Sequence, residues 1–281
     1  SIGVGLSDNT SEITRYDNPT KSLNETYYEG MKIGEIWGYV TEGFIQNSEE
    51  AAEMANKQSF ISSTWIPGDI KYADLNGDNK INQGNNRVGD SGDRKVIGNN
   101  TPRYNFNINL GGSWKGFDLR LFFQGTMKRD IWLDSPIFWG YDGLWSSCLN
   151  DYHVDNSWSE SNTDAYYPVP LFNNRSKQVQ TKYIQNGAYI RLKDVTLSYT
   201  IPKSLTSRIG IQQLKVYVSG QNLWEATGLY KYLDPDVVGS RQSSTKDSNG
   251  NEVTVGSLAT DSGGRVYPFT RSYSFGINVT F

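Results

Sequence analysis

The segment with the strongest claim to chemistry is Asp74-Leu75-Asn76-Gly77-Asp78-Asn79-Lys80-Ile81-Asn82. It sets side-chain oxygens at loop positions 1, 3 and 5 and offers the backbone carbonyl of Lys80 at position 7, the order found in calcium-binding loops. The second half departs from that order. Asn85 stands where a bidentate glutamate belongs, and Asn79 replaces the turn glycine, although asparagine tolerates left-handed backbone. Asp74, Asn76, Asp78 and Lys80 (through its backbone) are thus candidate ligands for Ca²⁺ or Mg²⁺ in loop 74–85. The competing reading is a set of Asx-turns that brace the loop without metal. Asp69 and Asp93 could add oxygens, but spacing alone does not bring them there.

A second candidate is aromatic. Trp132, Trp139, Tyr141, Trp145, Trp158, Tyr166 and Tyr167 crowd one connection, together with Phe138. Flat rings beside Asp142 or Asn150 are how a protein faces sugar rings, so these seven are expected to contact a substrate or a partner. The alternatives are a small core within the loop, a girdle at a membrane interface, or anchorage of a partner protein. Asp234-Pro235-Asp236 holds two carboxylates close together, as an acid–base pair would, but proline makes a turn the stronger reading. His153, the single histidine, reads as a solvated side chain in a polar loop. A serine elbow, HExxH, a glycine-rich phosphate loop and paired cysteine ligands are all missing, so the sequence offers nothing for catalysis. A non-enzymatic protein is expected.

Composition narrows the classes further. The 281 residues carry 27 basic and 30 acidic side chains, a net charge of −3 that suits neither a nucleic-acid partner nor an acidic tail. The single cysteine, Cys148, cannot form an internal disulfide. No apolar run approaches the ~18 residues of a membrane-spanning helix. That leaves membrane strands open, because these need only ~10 residues of alternating polarity.

Alternation is what the chain supplies. Tyr104, Phe106, Ile108 and Leu110 interleave with Asn105, Asn107 and Asn109, and after Lys115-Gly116 the residues Phe117, Leu119, Leu121 and Phe123 continue the pattern as a hairpin. Leu192, Val195, Leu197 and Tyr199 form a second strand, whose phase slips at Lys193 and Asp194, where a bulge would restore it. Leu214, Val216 and Val218 follow, then Tyr273, Phe275, Ile277 and Val279. Strands are expected near 1–6, 103–113, 117–127, 188–200, 213–223 and 271–281, with long loops at 7–102, 128–187 and 224–271. Long and short connections alternate, so in an up-and-down sheet all the long ones fall on one side. A short helix with Ser48 as its N-cap interrupts the first loop as a peripheral element, and Ser, Gly and Asn at 240–251 read as a loop tip.

Several segments resemble the SusC/RagA type of TonB-dependent outer-membrane transporters. They include Lys32-Ile33-Gly34-Glu35-Ile36-Trp37-Gly38-Tyr39, Pro67-Gly68-Asp69-Ile70-Lys71-Tyr72, Val96-Ile97-Gly98-Asn99, Gly116-Phe117-Asp118-Leu119, Tyr189-Ile190-Arg191-Leu192-Lys193-Asp194-Val195 and Val218-Ser219-Gly220-Gln221-Asn222-Leu223. The resemblance spans nearly the whole chain but only the C-terminal quarter to third of such a transporter.

It implies an all-β fold, part of a large transmembrane barrel of antiparallel up-and-down strands with long extracellular loops and short periplasmic turns. It also implies import of oligosaccharides or peptides across the bacterial outer membrane with a SusD-like surface lipoprotein, and coupling to the TonB complex through segments N-terminal to this stretch. Membrane lipid would be the partner of the apolar rows. Phe281, ending an alternating strand, resembles the signal by which barrel proteins are received for assembly. The competing class is a soluble or surface-attached β-rich glycan-binding module.

Overall fold

A computed structural model describes residues 1–141, 147–172, 175–207, 210–238, 243–246, 252–255 and 267–281. Along the chain come β1 (Ile2–Ser7), β2 (Glu35–Tyr39), β3 (Thr41–Phe44), α1 (Ser48–Lys57), β4 (Ile70–Tyr72), β5 (Arg94–Asn99), β6 (Arg103–Trp114), β7 (Phe117–Lys128) and β8 (Asp130–Ile131). Helices α2 (Pro136–Trp139) and α3 (Asp151–Asn156) precede β9 (Gln185–Thr200), and α4 (Lys203–Thr206) leads to β10 (Gln213–Gly228). A hairpin of β11 (Ser243–Lys246) and β12 (Glu252–Val255) comes before β13 (Ser272–Thr280).

One antiparallel sheet runs β1-β6-β7-β9-β10-β13, with β8 added on β9. Its register starts at the two-residue turn between β6 and β7. Lys115 (φ 47°) and Gly116 (φ 91°) are both left-handed, the backbone of a turn whose twist matches that of the flanking strands. Trp114 therefore faces Phe117, and Ile108 faces Phe123. Since side chains alternate across a strand, this register gathers the apolar residues on one face. Val4, Ile108, Phe123 and Leu192 form one row across four strands, and Leu119, Leu197, Val218 and Phe275 another. The opposite face carries Asn107, Gln124, Arg191 and Glu225 in one row and Arg120, Thr196, Ser219 and Ser274 in the next.

The expected bulge is present. Pairing slips between Phe122 and Phe123 on β7 and between Gln221 and Trp224 on β10, so Leu192 and Val195 face the same side although three positions apart.

Among the described residues, no other part of the chain covers the apolar face: Val4 is 72% and Phe275 71% exposed. Among the described residues, the buried apolar side chains belong instead to the connections. Tyr39, Ile45, Met54, Ile70 and Tyr72 from the first long connection pack with Trp132, Phe138 and Tyr183 from the second and with Leu229, Tyr230 and Val238 from the third. Three connections separated from one another by pairs of long strands thus share one core at one end of the sheet.

Some expectations are corrected here. The first connection contains the paired strands β2–β5 and β3–β4, which are too short for a readable alternation. The N-cap of α1 is Asn47, whose side chain accepts from the Glu50 amide, not Ser48. Nor is α1 peripheral, because Ala51 and Met54 are in the shared core. Most of stretch 240–251 lies outside the described residues.

Candidate functional site

The chemistry of the polar face converges on Arg191. Ile190 and Leu192 pair into the apolar face, so Tyr189 and Arg191 project the other way. Arg191 is only 2% exposed. Its Nη2 donates to Asp234 Oδ1 (2.5 Å), its Nε to Glu225 Oε2 (2.9 Å), and its Nη1 reaches Asp236 Oδ2 (3.3 Å). Lys193 also pairs with Asp236, and the Tyr189 hydroxyl donates to Asp236 Oδ1 (2.6 Å). Phe269 completes the cluster. Its amide donates to Asp234 Oδ2 (2.9 Å), and its ring lies 5.4 Å from the Arg191 guanidinium and 4.4 Å from the Lys193 ammonium. Burial pushes the Asp236 carboxyl up, but Lys193 and Tyr189 more than offset this and hold it below the usual carboxylate value.

The Asp234-Pro235-Asp236 segment is therefore a turn whose carboxylates are counter-ions, since Asp236 N donates to Asp234 Oδ1 (3.0 Å). Sequence reasoning missed the hub. Its readable signal was an arginine and a lysine two apart in a strand with a tyrosine before them, and an acidic turn downstream.

Towards the short turns the same face stays polar. Asp118 binds the Ser113 hydroxyl and Lys215 (3.2 Å), and a trough of about 310 Å³ is lined by Arg120, Asp194, Lys215, Tyr217 and Asn278. Tyr217 lies across Gly276, its cross-strand partner, and any Cβ there would strike the ring.

The aromatic residues of the second connection pack against one another. Phe138, fully buried, packs edge-on against Trp139 (5.3 Å), Tyr167 (5.6 Å), Tyr183 (6.2 Å) and Tyr230 (5.4 Å). Trp139 Nε1 donates to the Leu133 carbonyl (2.9 Å). Trp132, Trp139, Trp158 and Tyr167 are all buried and packed in the shared core of the connections. Tyr166 is partly buried, and its hydroxyl accepts from Gln185 (3.0 Å). Tyr141 is partly buried beside Phe172 (6.1 Å). Trp145 lies outside the described residues.

His153 is not solvated: it is wholly buried as the third residue of α3 and closes a capping box with Asn150. Its Nε2 sits 3.0 Å from the Phe138 carbonyl, while Nδ1 accepts from the Asn150 amide (3.4 Å). Both contacts fit the neutral ring with its proton on Nε2, and burial lowers its pKa from the usual value.

The candidate cation loop spends its oxygens on its own backbone. Asp74 accepts from the amides of Gly77 (2.6 Å) and Asn79 (2.8 Å), Asn76 from Asp78 (2.9 Å), and Asp78 from Lys80 (2.8 Å). The Asn79 amide is the main cause of the lowered Asp74 pKa. The Lys80 carbonyl accepts from the Asn82 amide group (3.2 Å), and Asn85 turns to Asp90 (2.5 Å). Asp93 serves the Leu75 and Asn82 amides, while Asp69 serves Ser176 and Arg175. Among the described residues no three carboxylate, histidine or cysteine side chains converge. The loop is thus braced as a set of Asx-turns. At the far end of the sheet Phe281 is 82% exposed.

No family model matches the sequence. Three curated relatives do, all TonB-dependent receptors of Formosa agariphila. Receptor P3 is 31% identical over 253 residues, which is 90% of this chain and 22% of that protein. Receptor P26 is 26% identical over 79% of this chain, and receptor P39 is 25% identical over 74%. The chain thus spans about a fifth of the length of the curated relatives it matches. Among solved structures, the RagAB peptide transporter superposes on all of this chain with a TM-score of 0.66 at 20% identity, over 26% of that chain. The RagAB peptide importer in its open-open state gives 0.59 at 21% identity.

Proposed function

Because this chain belongs to the TonB-dependent receptors, and its sheet is a stretch of outer-membrane barrel wall, we propose that it serves nutrient import, as the C-terminal part of a SusC-like barrel for oligosaccharides or peptides. The observation that carries this reading is the pairing of the two sheet faces. Among the described residues the apolar rows through Val4 and Phe275 have no protein cover, while the opposite face is laid with amides and ion pairs. Hydrocarbon suits the first face and a water-filled lumen the second. An open sheet edge cannot face lipid, so β1 and β13 require further strands of the longer protein to close the barrel. A soluble or surface-attached glycan-binding module would need another cover for those rows.

In this reading the short turns face the periplasm, and the shared core of the long connections forms an ordered cap outside the cell. The cap is where a SusD-like lipoprotein would sit. Coupling to the TonB complex belongs to other segments of the protein. The exposed Phe281 acts as the assembly signal.

The test is a deletion of the gene for the full-length receptor, with uptake of labelled oligosaccharides and peptides measured and partners of the purified receptor identified by mass analysis. Loss of uptake of one class and co-purification of a surface lipoprotein support the reading. Unchanged uptake of both classes, or a receptor outside the outer membrane, contradicts it.

A further inference from the structure

Beside the Arg191 hub opens a cleft of about 190 Å³ between the turn after β10 and the segment leading into β13. Its floor is rigid, since Arg191 and Asp234 are buried and bonded to each other. Two rings line its walls: Tyr232 is 52% and Phe269 49% exposed. Lys231 and Arg271 also line it, and among the described residues neither is paired with a carboxylate. The Lys231 ammonium is held 4.8 Å from the Tyr232 ring. At the base Glu225 spends Oε2 on Arg191, and Asn222, bent into left-handed backbone (φ 54°), donates through its amide nitrogen to the Thr270 carbonyl (3.2 Å). Their other oxygens are acceptors for hydroxyl groups.

We propose that this cleft is a subsite for one acidic sugar unit, a pyranose bearing a carboxylate; the proposal rests on the import reading and names its substrate class. The half-exposed rings offer flat apolar surface to a sugar face. Glu225 and Asn222 accept from hydroxyls, and Lys231 with Arg271 binds the carboxylate through charge-assisted hydrogen bonds. The hub carboxylates are already matched to Arg191 and Lys193, so the two rim cations are the charge left for a ligand.

Calorimetric titration of the full-length detergent-solubilised receptor with a galacturonate trisaccharide, its methyl ester and a tripeptide tests this. The double variant Lys231→Gln/Arg271→Gln is expected to bind the acid trisaccharide about tenfold more weakly, and Lys231→Arg/Arg271→Lys to restore binding, with the ester unaffected. Tyr232→Ala should weaken both sugars. Equal affinity of wild type and double variant for the acid, or tripeptide binding lost in that variant, would overturn the proposal. If the receptor still resides in the outer membrane and imports another substrate, only the subsite falls and the import reading stands.

Discussion

Arg191, at an inward position of β9, donates to the Asp234 carboxylate 43 residues downstream across 2.5 Å. With the contacts of Tyr189 and Lys193 to Asp236, it ties the turn after β10 to the sheet. Removing the arginine strands a buried carboxylate, a defect worth about 3 kcal/mol at the lower end for broken buried pairs, because Glu225 and Asp236 retain some solvent. Arg191→Leu in the full receptor should expose the 229–238 segment to protease while the barrel still migrates as a folded band in unheated gels. Arg191→Lys should rescue only in part, since an ammonium cannot reach three carboxylates as a fork does.

Asp236 adds a pH dependence. Its carboxyl is held below the ordinary value by Lys193 and Tyr189 against the effect of burial. With the unfolded value at ~3.9, its stabilisation is complete above that pH and is lost as the pH falls through the lower folded value. Cleavage of the 229–238 segment by an acid protease should therefore stay slow down to pH ~4 and accelerate below it. Asp236→Asn should lack this step.

His153 works in a milder range. Burial depresses its pKa, so the folded cap keeps the ring neutral. A depressed value means stabilisation intact above the unfolded value of ~6.5 and eroded as the pH falls below it. Tryptophan fluorescence of the cap should shift on acidification below that point in the wild type. His153→Gln can still donate to the Phe138 carbonyl and should show a flat response.

The cap and the barrel wall have separate supports, which Phe138 can expose. Phe138→Ala opens a hole among five rings and should cost about 3 to 5 kcal/mol. The loss should appear as protease sensitivity in all three long connections together, because they share that core. The folded barrel band on gels should persist.

The strands were legible because alternation is local: Asn105, Asn107 and Asn109 announce one face and Phe106 and Ile108 the other within a few residues. The Lys193 bulge was legible for the same reason, since it breaks that phase. The cap was not. Whether Trp139 faces a ligand or Tyr183 depends on contacts between distant connections, and nothing near Trp139 in sequence records them. The Arg191 hub escaped for a similar reason, as its carboxylate partners lie 34 to 45 residues away. The metal-like spacing at Asp74 was readable as a pattern, but the same side chains suit Asx-turns, and the choice rests on where the Asn79 and Lys80 amides point.

In the barrel-wall reading Val218 and its row face lipid while Asn107 and its row face water. In the full receptor with Cys148→Ser, single cysteines introduced by Asn107→Cys and Val218→Cys can be challenged in intact outer membranes with a bulky lipid-soluble probe and a small water-soluble thiol reagent. Position 107 should react with the water-soluble reagent and position 218 only with the lipid-soluble one. The reverse pattern, or water-soluble labelling of both, would contradict the barrel-wall reading.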